Sequence, residues 1–404
     1  MEPTTMAGSS IQGASWGPWS RLPDDLLGMV LAGLDSLFDH VRFAMVCTSW
    51  RIAVSTRPQP RAHPWLLLDP HGGTETKRAY CPGDGTILPL ALLLGETTRG
   101  KRFIGSHPGG WVAYEAPPFG VMNVFSGAEV VLPPIDQRGS VVMRKVIFSE
   151  SPNSSRCILA AITNKHEVVI CCFGSPESGW TTPRFKGKPV MDIAFSKGHL
   201  YCIVGNTKEL AKLEVGLDKY GVPAIGAVQW PVVKNHWYHY FTSGGDLDAY
   251  SSYIVDLRGK LVVATRGPWG PSGRLRRNHG SYFLLFELVD VETDRVYWWE
   301  NVTSLGDHAL FLGPSCCKAM QVSTSGHGGL RRNHIYYSHH RCYTHKKRVP
   351  EEAEEFFASS NNKNCHVYYK RDESTDNYVD DFKSVGYYVF GGAHPPMWLF
   401  PPHL

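Results

Sequence analysis

No residue type is concentrated enough in this chain to mark a specialised class of protein. Ten cysteines among 404 residues are too dilute for a disulfide framework. Several lie inside apolar runs, Cys171–Cys172 in VVICCF and Cys202 in HLYCIV, where a thiol acts as a small hydrophobe. Basic residues barely outnumber acidic ones, 41 against 37, so the charged face of a dedicated nucleic-acid binder is missing. The longest apolar stretches, 88–94 and Tyr282–Val289, are too short to span a bilayer. The opening MEPTTMAGSSIQGASWG has neither a basic n-region nor an apolar h-region. The sequons at Asn153 and Asn301 are therefore expected to be idle, and the chain is expected in the cytoplasm or nucleus, with neither nucleic acid nor membrane as a partner.

Chemistry is also thinly represented. There is no Gly-rich phosphate loop and no His-Glu-x-x-His helix, and Gly326-His327-Gly328-Gly329 reads as a turn. The densest metal-like group is His339, His340, Cys342 and His345, but adjacent residues on a strand point to opposite faces. The same test fails the Cys171–Cys172 and Cys316–Cys317 pairs, each read as one core thiol and one on the other face. No metal site, cofactor or catalytic set is expected, and the chain is not expected to be an enzyme. The aromatic runs Tyr297–Trp298–Trp299 and Tyr336–Tyr337 could form a ligand platform, but packing between sheets is the preferred reading.

What is present divides sharply along the chain. Residues 1–15 are small and polar, a tail. Residues 16–60 alone show helical periodicity: after Leu22-Pro23-Asp24-Asp25 come Leu26, Leu27, Val30, Leu31 and Leu34, one apolar stripe at helical spacing. Pro23 suits the first turn, Asp24 and Asp25 suit its positive end, and Gly33 weakens the finish. A second helix is expected from Asp39 as N-cap, carrying Val41, Phe43, Ala44 and Val46. A third follows Thr48–Ser49 with Trp50, Ile52 and Ala53, ending before the stiff Arg57-Pro58-Gln59-Pro60. Three helices in so short a span make a small core, so a partner is expected.

From about residue 61 the texture is β. Aromatic residues are 12% of the chain, and 40 Gly and 28 Pro cut it into short runs. WLLLD, KVIFS, CILAAI, HEVVICCF, DIAF, HLYCIV, YIVDL, KLVVATR, YFLLFELV, RVYWWE, ALFLG, HIYYS and YYVF are examples. Hairpins turn at Lys197–Gly198 and Arg258–Gly259. Four strands in every ~40–50 residues is the pattern of propeller blades. The expectation is a mainly β protein: a three-helix module, then a β-propeller of about six four-stranded blades over 61–404. Its last strands would complete the blade begun near Trp65, and a stacked sandwich is the alternative. Residues 341–364, basic and then acidic, read as a charged inserted loop.

The series Leu22-Pro23, Leu26–Leu27, Val30–Leu31, Leu34, Val46-Cys47 and Trp50-Arg51 resembles the F-box. An ordinary three-helix cap would explain the stripe but not the whole series. The remainder resembles the plant F-box proteins with a KIB-type β-propeller domain, on DIAFSKGHLYCI, YIVDLRGKLVVATR, LGDHALFLGPSC, NHIYYSHH and PPMWLFPP. The chain departs from that pattern at His339–His340, where the family more often carries acidic residues. The resemblance implies an F-box docked on a Skp-type adaptor, linked to a cullin and a RING subunit, and a propeller that binds a cargo protein. The adaptor-binding residues it marks are Leu22, Pro23, Leu26, Leu27, Val30, Leu31, Leu34, Val46 and Trp50, with Trp50 open between core and contact. Leucines at helical spacing suit a hydrophobic groove. A scaffold protein whose F-box no longer engages the adaptor is the rival, because Gly28, Ala32 and Gly33 weaken the first helix.

Overall fold

The computed structural model describes residues 18–34, 37–57, 63–68, 77–83, 85–91, 95–116, 118–133, 135, 141–174, 179–183, 185, 187–205, 209–219, 223–234, 251–267, 282–291, 296–322, 330–340, 354–358, 366–372, 382–390 and 396–402. The chain divides into two compact units, Met1–Ala62 with His403–Leu404, and His63–Pro402.

In the first unit a 3-10 turn at Pro18–Arg21 precedes α1 (Asp24–Ala32), α2 (Leu37–Val46) and α3 (Thr48–Ser55). Pro23 stands at the N-cap of α1 with φ −55°, the value its ring imposes. Its carbonyl accepts from the Leu26 and Leu27 amides, both at 3.1 Å. Asp24 and Asp25 fill the first turn and Gly33 caps the end. The second helix starts at Leu37, two residues before the expected Asp39, which lies inside its first turn and pairs with Arg42 at 3.5 Å. Leu27, Leu31, Phe43, Ala53 and Val54 form the core of the unit.

The described residues of the second unit form six sheets. The first holds β1 (Trp65–Leu68), β2 (Arg78–Tyr80) and β3 (Ile87–Pro89); the second holds β4 (Arg102–His107), β5 (Trp111–Glu115), β6 (Gly120–Asn123) and β7 (Glu129–Val131). The third holds β8 (Met143–Phe148), β9 (Ile158–Thr163) and β10 (Val168–Cys172). The fourth holds β11 (Val190–Ser196), β12 (His199–Val204), β13 (Glu209–Leu217) and β14 (Pro223–Ile225). The fifth holds β15 (Val232–Lys234), β16 (Ser251–Leu257), β17 (Lys260–Gly267), β18 (Tyr282–Val291) and β19 (Val296–Asn301). The sixth holds β20 (His308–Leu312), β21 (Cys317–Gln321), β22 (His334–His340), β23 (Glu354–Ala358), β24 (His366–Asp372) and β25 (Lys383–Phe390). The last strand, β26 (Met397–Leu399), returns to pair with β1, Trp65 opposite Leu399. The expected completion of the first sheet by the C-terminus is thus found.

Successive sheets pack mainly through one strand each, in the order β26, β4, β8, β11, β16, β21, as the inner strands of a propeller do. Apolar clusters fill the gaps. Ile158, Ile170, Ile193 and Leu200 join the third and fourth sheets; Val255, Val262, Leu310 and Ile335 join the fifth and sixth. Both faces of a sheet are therefore covered, which corrects the reading of Cys171–Cys172: both thiols are buried. The two expected tight turns carry positive φ at both central residues, 47° and 75° at Lys197–Gly198 and 57° and 76° at Arg258–Gly259. This is the type I′ geometry that matches strand twist.

The sheets are not uniformly four-stranded and antiparallel. In the sixth, β22 lies parallel to both β20 and β25, and in the fifth β15 lies parallel to β19. Within the expected charged loop, Glu354–Ala358 is instead strand β23, paired antiparallel with β24; its Phe356–Phe357 supplies the β-forming residues between the charge blocks. The rest of 341–364, the tail, Pro58–Pro60 and Gly326–Gly329 lie outside the described residues.

Two carboxylates make the propeller sensitive to acid. Hydrogen bonds from Lys101 and then Tyr114 hold the Glu129 carboxylate below its ordinary 4.5, and those from Gln321 and His308 hold Asp307 below 3.8. A carboxylate depressed in the folded state stabilises above its unfolded value and loses that contribution as pH falls through the folded one. The denaturation midpoint is expected to drop on acidification below about pH 4.5, with Glu129→Gln shallowing the acid limb. An unchanged limb in that variant would contradict the assignment.

Candidate functional site

The helical unit exposes an apolar ridge. On α1, Leu26 and Val30 are each 45% exposed and Met29 71%, whereas Leu27 is 1% and Leu31 4% exposed. Leu26, Met29 and Val30 are spaced i, i+3, i+4 and share one side of the helix, continued by the exposed Pro23. Leu27 and Leu31 face α2 and α3. Both are expected among the adaptor-binding residues; here they are buried in the core of the unit and hold the helix in place. Leu22 and Leu34 are half-buried against the same core, and the Leu34 carbonyl accepts from the His40 ring at 2.8 Å. Val46 is exposed at the end of α2. Trp50 combines both readings: its ring packs on Phe43 at 4.1 Å, and its Nε1 donates to the Trp19 carbonyl at 2.9 Å from a half-exposed position. Met29, Ile52 and Trp19 are exposed apolar residues that the motif series did not mark as docking residues.

In the propeller unit, the five stretches that carry the family resemblance are joints between sheets. Ser196 Oγ, in DIAFSKGHLYCI, donates to the Asp256 carboxylate of YIVDLRGKLVVATR. Two residues on, Arg258 donates to the Leu305 carbonyl and, at 3.0 Å, to Asp307 of LGDHALFLGPSC. Asn333 of NHIYYSHH accepts from the Leu305 amide at 2.7 Å. Trp398 of PPMWLFPP donates through Nε1 to the Leu312 carbonyl at 3.0 Å, and Ser338 Oγ donates to the Pro396 carbonyl at 3.0 Å. The aromatic runs are divided: Trp298 is 41% exposed, and Tyr336 lies against a strand of its own sheet, while others pack between sheets. Tyr336 stacks on Phe311 at 5.1 Å, Tyr337 meets Phe283 edge-on at 5.1 Å, and Trp299 is buried between the fourth and fifth sheets.

A buried ion pair ties four inner strands together. Lys145 Nζ on β8 lies 2.5 Å from Asp192 Oδ1 on β11. Asp192 Oδ2 accepts from the Ile254 amide of β16 at 2.9 Å, and Lys145 Nζ is 3.6 Å from Cys317 Sγ of β21. Burial is the largest single influence on Lys145 and opposes its charge, but the Asp192 carboxylate and the neighbouring Cys317 and Cys316 sulfurs together outweigh it, and the ammonium titrates above its ordinary value. Burial likewise pushes the Cys316 thiol up to about 12 and Cys317 to about 11, so neither is a thiolate nucleophile at neutral pH. Cys47, Cys157, Cys172, Cys202, Cys316 and Cys317 are free thiols. Among the described residues no three His, Cys, Asp or Glu are placed to hold a metal ion; Cys342, His345 and the side chains of His339 and His340 lie outside them. No described helix is long and apolar enough to cross a membrane.

The chain matches two family models: the F-box domain over residues 19–60 and the KIB1-4 beta-propeller over 80–370. Among curated proteins it resembles the F-box protein At3g25750 of Arabidopsis thaliana, 21% identical over 351 residues, which covers 80% of this chain and 88% of the relative. It resembles the Arabidopsis F-box protein At4g22060 at 22% over 356 residues, 80% of this chain and 84% of the relative. The Arabidopsis F-box protein SKIP23 matches at 39% over 56 residues, 14% of each chain. With its propeller model spanning most of the chain and its helices matching the F-box, the protein belongs to the family of plant F-box proteins that carry a KIB1-4 beta-propeller.

Proposed function

We propose that this chain is the substrate-receptor subunit of an SCF-type cullin-RING ubiquitin ligase, with α1 docking on the Skp-type adaptor and the propeller holding a cargo protein. The observation that carries the reading is the Leu26–Met29–Val30 ridge. A helix of nine residues that keeps three large apolar side chains in solvent, beside a core already complete, offers its free side to an apolar groove. The chain's contribution is proximity: it would hold cargo near ubiquitin-transfer machinery supplied by other subunits. An F-box joined to a propeller is the architecture of a non-catalytic adaptor, and the buried joints described above bind sheets to one another instead of assembling a reaction centre.

The test is co-expression of the full chain with a plant Skp-type adaptor, followed by size-exclusion chromatography. A one-to-one complex is expected. A folded chain that elutes apart from the adaptor would overturn the receptor reading and leave a propeller scaffold in its place.

A further inference from the structure

Gly28 interrupts the apolar face of α1 and is a poor helix former. The structure supplies a reason for it. The Arg57 guanidinium, just past α3, lies across this position: a Cβ on Gly28 would stand 2.8 Å from Arg57 Nε, 3.0 Å from Nη2 and 3.1 Å from Cζ. From that seat Nη1 donates to Asp24 Oδ1 at 3.1 Å and to the Ala53 carbonyl at 2.9 Å. Nη2 donates to Asp24 Oδ2 and to the Asp24 carbonyl, both at 2.7 Å. One planar fork thus joins the first turn of α1 to the last turn of α3, a geometry that a lysine ammonium does not reproduce. Asp24 and Gly28 are four residues apart and share one flank of α1. Leu26 and Val30, two residues on from each, lie about half a turn round the helix. The grip is therefore on the side of α1 opposite the exposed ridge.

We infer that Arg57 is a positioning residue for adaptor docking: seated over Gly28 and holding Asp24, it sets the angle at which α1 presents Leu26, Met29 and Val30. The inference rests on the receptor reading above. Asp24 alone could be dismissed as an exposed ion-pair partner of little weight. The two backbone carbonyls and the bare glycine seat make the contact a fitted joint between helices. A Cβ at position 28 would make the Arg57 guanidinium shift from this seat.

The full chain tests this with a two-residue cycle read by adaptor affinity and by amide hydrogen exchange of α1. Gly28→Ala replaces a poor helix former with the best one, so a loss of binding in this variant is not a loss of helix. Gly28→Ala and Arg57→Ala are each expected to weaken the adaptor about tenfold and to speed exchange along α1. Arg57→Lys should fall between wild type and Arg57→Ala, and Asp25→Asn, which removes a neighbouring charge, should bind as wild type. The decisive arm is the double variant. Once Arg57 is absent, the three atoms nearest a Cβ at position 28 are gone, so Gly28→Ala should bring no further loss and should slow α1 exchange through its helix propensity. Wild-type affinity in Gly28→Ala, or losses that simply add in the double variant, would overturn the inference. If wild type itself fails to bind the adaptor, the receptor reading falls alone, and the exchange cycle still decides whether Arg57 fixes α1.

Discussion

Replacing Asp192 with alanine is expected to destabilise the propeller by about 3–5 kcal/mol, the cost of leaving one partner of a buried ion pair uncompensated. The substitution strands the Lys145 ammonium, whose side chain is 3% exposed, and removes the acceptor of the Ile254 amide on the next sheet. Asp192→Asn separates the two effects. It keeps an oxygen for Ile254 but leaves the lysine charge unanswered, so most of the loss should remain. Adding Lys145→Met to Asp192→Asn removes the stranded charge and should recover a large part of it, since a buried pair and an apolar replacement are often nearly equal in stability. Denaturant unfolding of the four chains measures this. A shift of less than about 1 kcal/mol for Asp192→Ala would mean that water reaches the pair in the folded protein.

The second large effect concerns the ridge on α1. Leu26→Asp with Val30→Asp should reduce adaptor affinity by about a thousandfold, taking each anchor at ~2 kcal/mol, while the helical signal and the propeller remain. Leu31→Asp should also abolish binding, but by another route: it places a carboxylate in the core formed with Leu27, Phe43, Ala53 and Val54 and melts the helical unit. Circular dichroism and size-exclusion chromatography distinguish the two. Retained binding in the Leu26 and Val30 variant would move the docking surface elsewhere, with Ile52 and Trp19 the next exposed apolar residues to test.

The contrast between Leu26 and Leu31 also shows where reading the residues alone stops. Periodicity places Leu26, Leu27, Val30 and Leu31 on one broad apolar arc, but Leu26–Val30 and Leu27–Leu31 are separated by only about 100°. Which pair meets α2 and α3 depends on tertiary packing, and both pairs satisfy the motif. The β region was legible wherever β-branched and aromatic residues ran together, and the hairpins at Lys197–Gly198 and Arg258–Gly259 follow directly from their turn residues. It was not legible in Glu209–Leu217, ELAKLEVGL, whose residues favour helix. That segment becomes β13 because β12 pairs with Glu209–Glu214, β14 pairs with Val215–Leu217, and Leu210, Ala211 and Leu213 are buried. Lys145 and Asp192 look like ordinary charges beside short apolar runs. Their pairing depends on two sheets meeting at the inner strands, and no local pattern announces that.

The pairing of β26 with β1 has a consequence for how the protein is made. Trp65 is synthesised more than 300 residues before its β-partner Leu399. At about 5–20 residues per second, the open edge of the first sheet waits for tens of seconds before its fourth strand exists. Until then Trp65 and Leu66, which are completely buried in the finished molecule, have an unpaired strand edge beside them, the kind of edge on which nascent chains stick to one another. The propeller therefore closes only once Met397–Leu399 has been made, and a chain cut short before Met397 cannot close this sheet, however well the other described sheets have formed.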